Sequence, residues 1–509
     1  MTGVLEMRGK PNLVFVFSDR QRFDTLAAYG NDYVKAPNLN NLAKESLVFK
    51  NTYVTQAVCA PARASIMTGL YPHAAGMQRN KLVMPEQIET IANMVSDDYK
   101  KAYFGKWHLG NEVINQRGFD DWASGMETLR EEYTEPEYLE IDTSYHEFLI
   151  KNGFEPDEVL LGRKIFSDEM RAALPAEFQM ASFFASKAET FIQENSGDPF
   201  VLYVSFLEPH PPWTGPYDGL HDPEEVPIEP TFLKRPDGHS LFSRMRADFF
   251  MQSDLHTPDD VEDAEWEKGR SEYNALDKAI GKQFDLEKPI SWKQMRANYY
   301  GNITLVDDAV GKILGALDEA GISDNTIFIF TSEHGDLIGT HGMMEMRTFY
   351  EEAAKVPLII RAPMYNREPN IIEGNFGQID LVPTLLDLLG QDLPDHLQGT
   401  SKADVIKGTA DLSGNEVFME HNGIGDRNLG TPAINMLNNM QWRSIVTSDR
   451  WKLNLCATDQ CELFDLKNDP FEQDNVFNDP GHKDRIRLMT AKIRMWQHET
   501  GDQAPLPDV

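Results

Sequence analysis

A chain of 509 residues is too long for one simple core and suits one large domain with a smaller one beside it. Hydrophobic residues make up 41% of it, which excludes a disordered polymer. Acidic residues number 81 against 48 basic ones, a net charge of −33, which argues against nucleic acid and against an anionic membrane as partners. An anionic substrate would be repelled at long range, so any anion site has to be made positive locally.

In chain order, residues 13–17 form a short apolar run closed by Ser18 and Asp19. That pattern predicts a buried strand with polar side chains at its carboxyl end, where open α/β sheets place their chemistry. A helix is expected from 38 to 45 after Pro37, another over 63–68 after Pro61 with Gly69 at its end, and a third over 87–94. Residues 100–104 and 201–206 read as strands, the second followed by the stiff loop Glu208-Pro209-His210-Pro211-Pro212. A long helical pattern covers 295–320. Strands follow at 326–330, ending in Thr331-Ser332-Glu333-His334-Gly335, and at 357–360, and a short apolar helix at 381–389. Strands and helices alternate over this part, which predicts an α/β fold with a large, mostly parallel sheet flanked by helices. Residues 416–420, 443–446, 451–455 and 461–466 read as further strands, the middle two antiparallel across a turn at Ser448-Asp449, and 484–498 as a last helix. The expected division is a catalytic domain over 1–400 and a small C-terminal α+β domain with an antiparallel sheet over 401–509. Two long polar stretches, 131–174 and 217–288, read as insertions, either solvated surface or a cover over the site.

The three cysteines, Cys59, Cys456 and Cys461, are no disulfide framework, although the last two could meet across a hairpin. Residues 1–11 carry no apolar leader and no run of about 18 apolar residues occurs. The expected setting is cytoplasmic, with no membrane partner, and a dimer or tetramer suits an enzyme of this size.

The most informative segment is Cys59-Ala60-Pro61-Ala62-Arg63-Ala64-Ser65. A cysteine followed by a proline, an arginine and a helix start has N–H groups and a guanidinium at hand to stabilise an anion. The run resembles the signature of the sulfatases, a family of the alkaline-phosphatase superfamily, and is similar also to that of the phosphonate monoester hydrolases. Residues 11–19, Gly105-Lys106-Trp107-His108-Leu109-Gly110, Pro209-His210, Glu333-His334-Gly335 with His341-Gly342, and 463–470 resemble the family's other conserved stretches, in order along nearly the whole chain.

The resemblance implies a hydrolase in which Cys59 is oxidised to formylglycine by a modifying system. One hydroxyl of its hydrate attacks sulfur or phosphorus, and the second expels the product as the aldehyde re-forms, so the covalent adduct has a built-in exit. It implies that Lys106 neutralises a substrate oxygen, that Arg63 orients the nucleophile, that His108 holds its second hydroxyl and that His210 faces the leaving group. These residue types also meet the need for positive charge where negative charge develops. Lys106 and His108 are two apart and would share one side of a strand end. His341, Arg347, His421, Asn422, Arg427 and Trp213 are the candidate substrate contacts.

The metal positions depart from the family pattern. Asp19, Glu333 and His334 are candidate ligands for a divalent cation, Ca or Mn. Arg20 falls where a further ligand is expected, and Met346 where a lysine is. An arginine has donors only and cannot ligate a metal. Either Arg20 turns away and Asp19, Glu333, His334 and water hold the ion, or the guanidinium takes the metal's place, paired to Asp19 and Glu333. The expected function is hydrolysis of a small organic sulfate ester. The alternatives are phosphonate monoester or phosphodiester hydrolysis on the same scaffold, or a metal-independent hydrolase using the Cys59 thiolate.

Overall fold

The computed structural model describes residues 9–251, 284, 288–423, 436–437 and 439–509. Fifteen strands are described. In chain order they are β1 (Asn12–Ser18), β2 (Leu47–Tyr53), β3 (Lys100–Gly105), β4 (Asp121–Ala123), β5 (Glu158–Leu160), β6 (Arg163–Ile165), β7 (Phe200–Ser205), β8 (Thr326–Ser332), β9 (Lys355–Val356), β10 (Leu358–Arg361) and β11 (Asn370–Gly377), followed by β12 (Val417–His421), β13 (Trp442–Val446), β14 (Trp451–Cys456) and β15 (Glu462–Asp465).

The large sheet runs β11-β2-β10-β8-β1-β7-β3-β4, with β9 alongside β2. It is parallel except for β10 and β9, which run against their neighbours. β1 lies between β7 and β8, and its residues are fully buried, as expected of a parallel strand covered on both faces. Alternation sorts them. Leu13, Phe15 and Phe17 join a layer with Ala60, Ala64 and Ile66 of the helix α2 (Cys59–Thr68) and with the helix Leu381–Leu388. Val14 and Val16 join a layer with the helices Met180–Asn195 and Pro289–Glu319. A third apolar cluster, with Cys59, Trp213, Met295, Tyr299, Met344 and Met346, sits apart from both layers.

The antiparallel sheet β12-β13-β14-β15 packs Ile445, Leu453, Leu455 and Leu463 against Ile486, Met489, Ile493 and Trp496 of the helix Lys483–Thr500. None of the described helices is long and apolar enough to cross a membrane.

Two local expectations are corrected, and two strands are added. The helix expected over 87–94 spans only Ile91–Met94, because Thr90 and Asn93 close a reciprocal capping box that starts it there. β2 and β11 had no clear signal in the sequence: Lys50-Asn51-Thr52 interrupts the first, and the second begins at an exposed edge. Lys106 and His108 do not extend β3. The strand stops at Gly105, at φ +130°, where a Cβ would lie 1.9 Å from the Ser205 carbonyl oxygen. The following turn is held by the Glu112 carboxylate, which accepts the Trp107 and His108 backbone N–H groups at 3.1–3.2 Å.

Candidate active site

The register of two strands builds the centre of the site. Ser18 of β1 pairs with Ser332 of β8, so Asp19-Arg20 and Glu333-His334 leave the sheet side by side, joined by Glu333 N–H to the Ser18 carbonyl at 3.0 Å. α2 begins at Cys59 itself, earlier than the sequence suggested, and ends at Gly69 in the left-handed region. The nucleophile candidate therefore occupies the positive end of a helix.

Asp19, Cys59, Glu333 and His334 bring one potential ligand atom each to within 4.8 Å of one another, and all four are buried. His334 donates from Nδ1 to the Gly335 carbonyl at 2.7 Å, since a carbonyl can only accept, which leaves Nε2 facing Cys59 Sγ at 3.3 Å and Glu333 Oε1 at 3.1 Å. A ring fixed in this way presents a metal-ligand nitrogen. Gly335 is required here, because a Cβ would lie 1.9 Å from the Glu352 carbonyl oxygen.

Lys106 Nζ reaches Asp19 Oδ2 at 2.5 Å. Arg63 donates from Nη1 to the Lys106 carbonyl and to Ser205 Oγ at 2.7 Å, lies 3.4 Å from the same Asp19 oxygen, and pairs through Nε with Glu333. Asp19 Oδ1 is buried with no hydrogen-bond partner among the described residues, and the two Glu333 oxygens meet only the ion-pair contacts with Arg63 and His334. Buried carboxylate oxygens converging with an imidazole nitrogen are the donor set of a divalent cation, and these residues fit one.

Burial resists ionisation throughout the pocket, and the neighbours decide the outcome. Burial would raise the Cys59 thiol, but Lys106, with His334 and His108, overcomes it and holds the thiol well below its ordinary range. Asp19 is likewise held low against burial, chiefly by Lys106 and then His210 and Arg63. Glu333 is pushed up to about 7 by burial and the neighbouring Asp19 and Cys59. His334 rises to about 10 and His108 to about 9: burial opposes both, and the Cys59 and Glu333 charges (for His334) or Cys59 and Glu132 (for His108) prevail. His210 falls to about 3, from burial first and then Arg20.

Of the two arrangements foreseen for Arg20, pairing with Asp19 and Glu333 is not the one formed. Arg20 sits at φ 63° and its Nη1 binds Asp336 at 3.0 Å, while α2 carries Arg63 to both site carboxylates. His108, also left-handed at φ 59°, places Nε2 3.6 Å from Glu132. His210 donates from Nδ1 to the Pro211 carbonyl at 2.8 Å, and its Nε2 has no hydrogen-bond partner among the described residues. Trp213 and Met346 share the apolar cluster of Cys59. Arg347 and His421 line one cleft with Phe242 and Trp442.

The remaining candidates make other contacts or are not described. His341 stacks on Tyr350, with ring centroids 3.7 Å apart, and its contacts are with that ring, Glu352 and His239 rather than with Cys59. Asn422 is spent on Gln56, Glu420 and Arg443 at 2.9–3.0 Å. Arg427 lies outside the described residues, as do the acidic residues from Asp254 to Glu267. Asp336 and Glu132 were missed. Asp336 is the next acid after Glu333-His334, a cue the sequence did offer. Glu132 comes from the 131–174 stretch, whose approach to His108 no local pattern announces.

Comparison with known proteins agrees with this geometry. The sulfatase family model matches residues 11–391, and the model for the C-terminal region of N-sulphoglucosamine sulphohydrolase matches 339–499. The chain is 26% identical to the multifunctional alkaline phosphatase superfamily protein PehA of Trinickia caryophylli, covering 97% of this chain and 96% of that one. It is 27% identical to an arylsulfatase of Clostridium perfringens, covering 94% and 92%. Among solved structures, a phosphonate monoester hydrolase from Silicibacter pomeroyi superposes with a TM-score of 0.76 at 22% identity, covering 97% of this chain and 96% of that one. A protein crystallised with its substrate D-glucosamine-2-N,6-O-disulfate superposes with a TM-score of 0.73 at 23% identity, covering 98% and 99%. A match over this much of the chain, on a site of this composition, establishes the protein as a hydrolase of the sulfatase family, within the alkaline phosphatase superfamily.

Proposed function

We propose that this protein hydrolyses the sulfate ester of a small organic molecule through a formylglycine made from Cys59. The observation that carries this reading is the gathering of Asp19, Cys59, Glu333 and His334 within 4.8 Å at the start of α2. Asp19, Glu333 and His334 would hold a divalent cation, Ca or Mn, beside residue 59, where it would supply Lewis-acid polarisation of the headgroup. The formylglycine hydrate would supply the attacking hydroxyl and the later elimination.

The chain's own residues do the rest. Lys106 and Arg63, both buried, hold fixed positive charge against the oxygens on which negative charge grows. His108, partnered by Glu132, takes and returns the proton of the nucleophile's second hydroxyl. His210 faces the leaving group through its Nε2, steadied by its hydrogen bond to Pro211. Trp213 walls the pocket, and Arg347 and His421 flank the organic half. His341 and Asn422 serve packing and the C-terminal network instead.

Phosphonate monoester or phosphodiester hydrolysis is the second reading, favoured by the likeness to a phosphonate monoester hydrolase over 97% of the chain. A Cys59 thiolate acting unmodified is the third, favoured by its lowered pKa and by His334 at 3.3 Å. The division near residue 400 is proposed on the start of the antiparallel sheet at Val417. The cytoplasmic setting is proposed on three unbridged cysteines. A formylglycine-generating partner follows from the first reading, and a homo-oligomer from chain size. Parallel assays with an aryl sulfate, a phosphonate monoester and a phosphodiester separate the readings: sulfate turnover at the highest kcat/KM supports the first, and turnover of only the phosphorus esters replaces it with the second.

A further inference from the structure

Two arginines stand two residues apart at the end of β1, and they are treated differently by their surroundings. Arg22 is fully engaged: Nε and Nη2 donate to Asp24 at 2.8 and 2.6 Å, Nη2 also pairs with Glu229, and Nη1 donates to the Leu337 carbonyl at 3.2 Å. It is a structural clamp. Arg20 makes one hydrogen bond, from Nη1 to Asp336 at 3.0 Å, and its buried Nε has no partner among the described residues. Its side chain is only 4% exposed. A guanidinium carries five donors, and buried donors are matched in nearly all native structures. The Arg20 Nε–H is therefore a buried donor open to an acceptor.

Its backbone is fixed in this position. Tyr299 donates its hydroxyl to the Arg20 carbonyl at 2.8 Å and accepts the Arg22 N–H at 2.9 Å, and Gln21 N–H donates to Ser332 Oγ. Asp336, which holds the guanidinium, lies two residues beyond His334, whose Nε2 is 3.3 Å from Cys59. Arg20 is thus caught between the Asp19 and Glu333-His334 ends of β1 and β8, and its charge acts on both Cys59 and His210. The local charge balance points the same way. Lys106 and Arg63 are already committed to Asp19 and Glu333. Arg20 pairs with a carboxylate through one nitrogen only, which leaves it the cation with donors to spare for an incoming anion, in a chain whose net charge of −33 would otherwise repel one.

Resting on the sulfatase reading of the site, we propose that Arg20 is an anion-binding residue that donates to the non-bridging oxygens of the sulfate headgroup, for which Asp336 competes. The test measures binding of inorganic sulfate to the full chain by thermal shift, and by competitive inhibition where an ester is turned over, for the wild type and for Arg20→Met, Arg20→Lys and Asp336→Asn. Arg20→Met is expected to weaken sulfate binding about tenfold or more, and Arg20→Lys to recover part of it, since a point charge replaces a fork. Asp336→Asn removes a competing carboxylate and is expected to tighten sulfate binding, a change of sign that mere structural damage would not produce. If Arg20→Met does not fold, the Lys and Asn variants carry the test between them. Wild-type affinity in Arg20→Met, or equal losses in Arg20→Lys and Asp336→Asn, would overturn the proposal, as would a wild type that does not bind sulfate. A wild type that binds sulfate but turns over no sulfate ester would sink the sulfatase reading while leaving the role of Arg20 legible.

Discussion

Two buried arginine–carboxylate groups in this molecule differ in how they are closed. In the C-terminal sheet, Arg443 donates to both oxygens of Asp502 at 2.5 and 2.7 Å, to the His421 and Trp442 carbonyls, and to Asn422, while Gln497 completes Asp502. At the ends of β1 and β8, Arg63 meets Asp19 and Glu333, but Asp19 Oδ1 keeps no hydrogen-bond partner among the described residues and Glu333 is met only by its ion-pair contacts with Arg63 and His334. The first group satisfies itself and ties strands to the chain's end. The second leaves acceptor capacity unmet among buried neighbours, a cost that a ligand would repay. Closure separates a structural buried charge from a working one better than burial or charge alone.

Mutations at the two places should part company. The largest effect is expected at the nucleophile: Cys59→Ala should lower kcat for an aryl sulfate by at least about 10³-fold while the thermal midpoint holds or rises. Glu333→Gln comes next. It removes the negative charge of one candidate ligand, so the purified protein should lose bound divalent cation and about 10–100-fold in activity, read by elemental analysis and kinetics together. At the closed group the pattern reverses. Arg443→Met should cost about 3–5 kcal/mol by stranding Asp502, seen as a lower denaturation midpoint, with the kcat of the folded fraction unchanged.

The smallest effect concerns His73, which donates from Nδ1 to Glu420 and from Nε2 to the Thr500 carbonyl and so behaves as an imidazolium rather than a metal ligand. Burial lowers its pKa, but Glu420 outweighs burial and raises it above the ordinary value of 6.5. A raised histidine stabilises the fold fully below the unfolded value and loses that contribution as pH climbs through the folded one. Stability should therefore fall as pH rises from below 6.5 through that higher value, and Glu420→Gln should flatten the trend.

Much of this was legible in the sequence because it is local. The apolar run of β1 closed by Ser18-Asp19, the turn after β8 at Glu333-His334, and the Cys59-to-Arg63 segment each announce themselves by composition, and two strands in register suffice to bring them together. What was not legible depends on distant partners. The side on which Lys106 and His108 lie is set by the Ser205 carbonyl against Gly105 and by Glu112, not by strand alternation. The place of Arg20 depends on Asp336, and that of Asn422 on Arg443. A residue's type told what it could do, and only the neighbours told whether it was free to do it.

Mass spectrometry of the peptide containing Cys59, on protein made alongside a formylglycine-generating system and paired with elemental analysis, bears most directly on whether this pocket is a working hydrolytic centre. The expected result is a peptide about 18 Da lighter than the cysteine form, as an aldehyde replaces a thiol, in a protein holding one divalent cation. An unmodified Cys59 in metal-free protein that turns over neither sulfate nor phosphorus esters would contradict it.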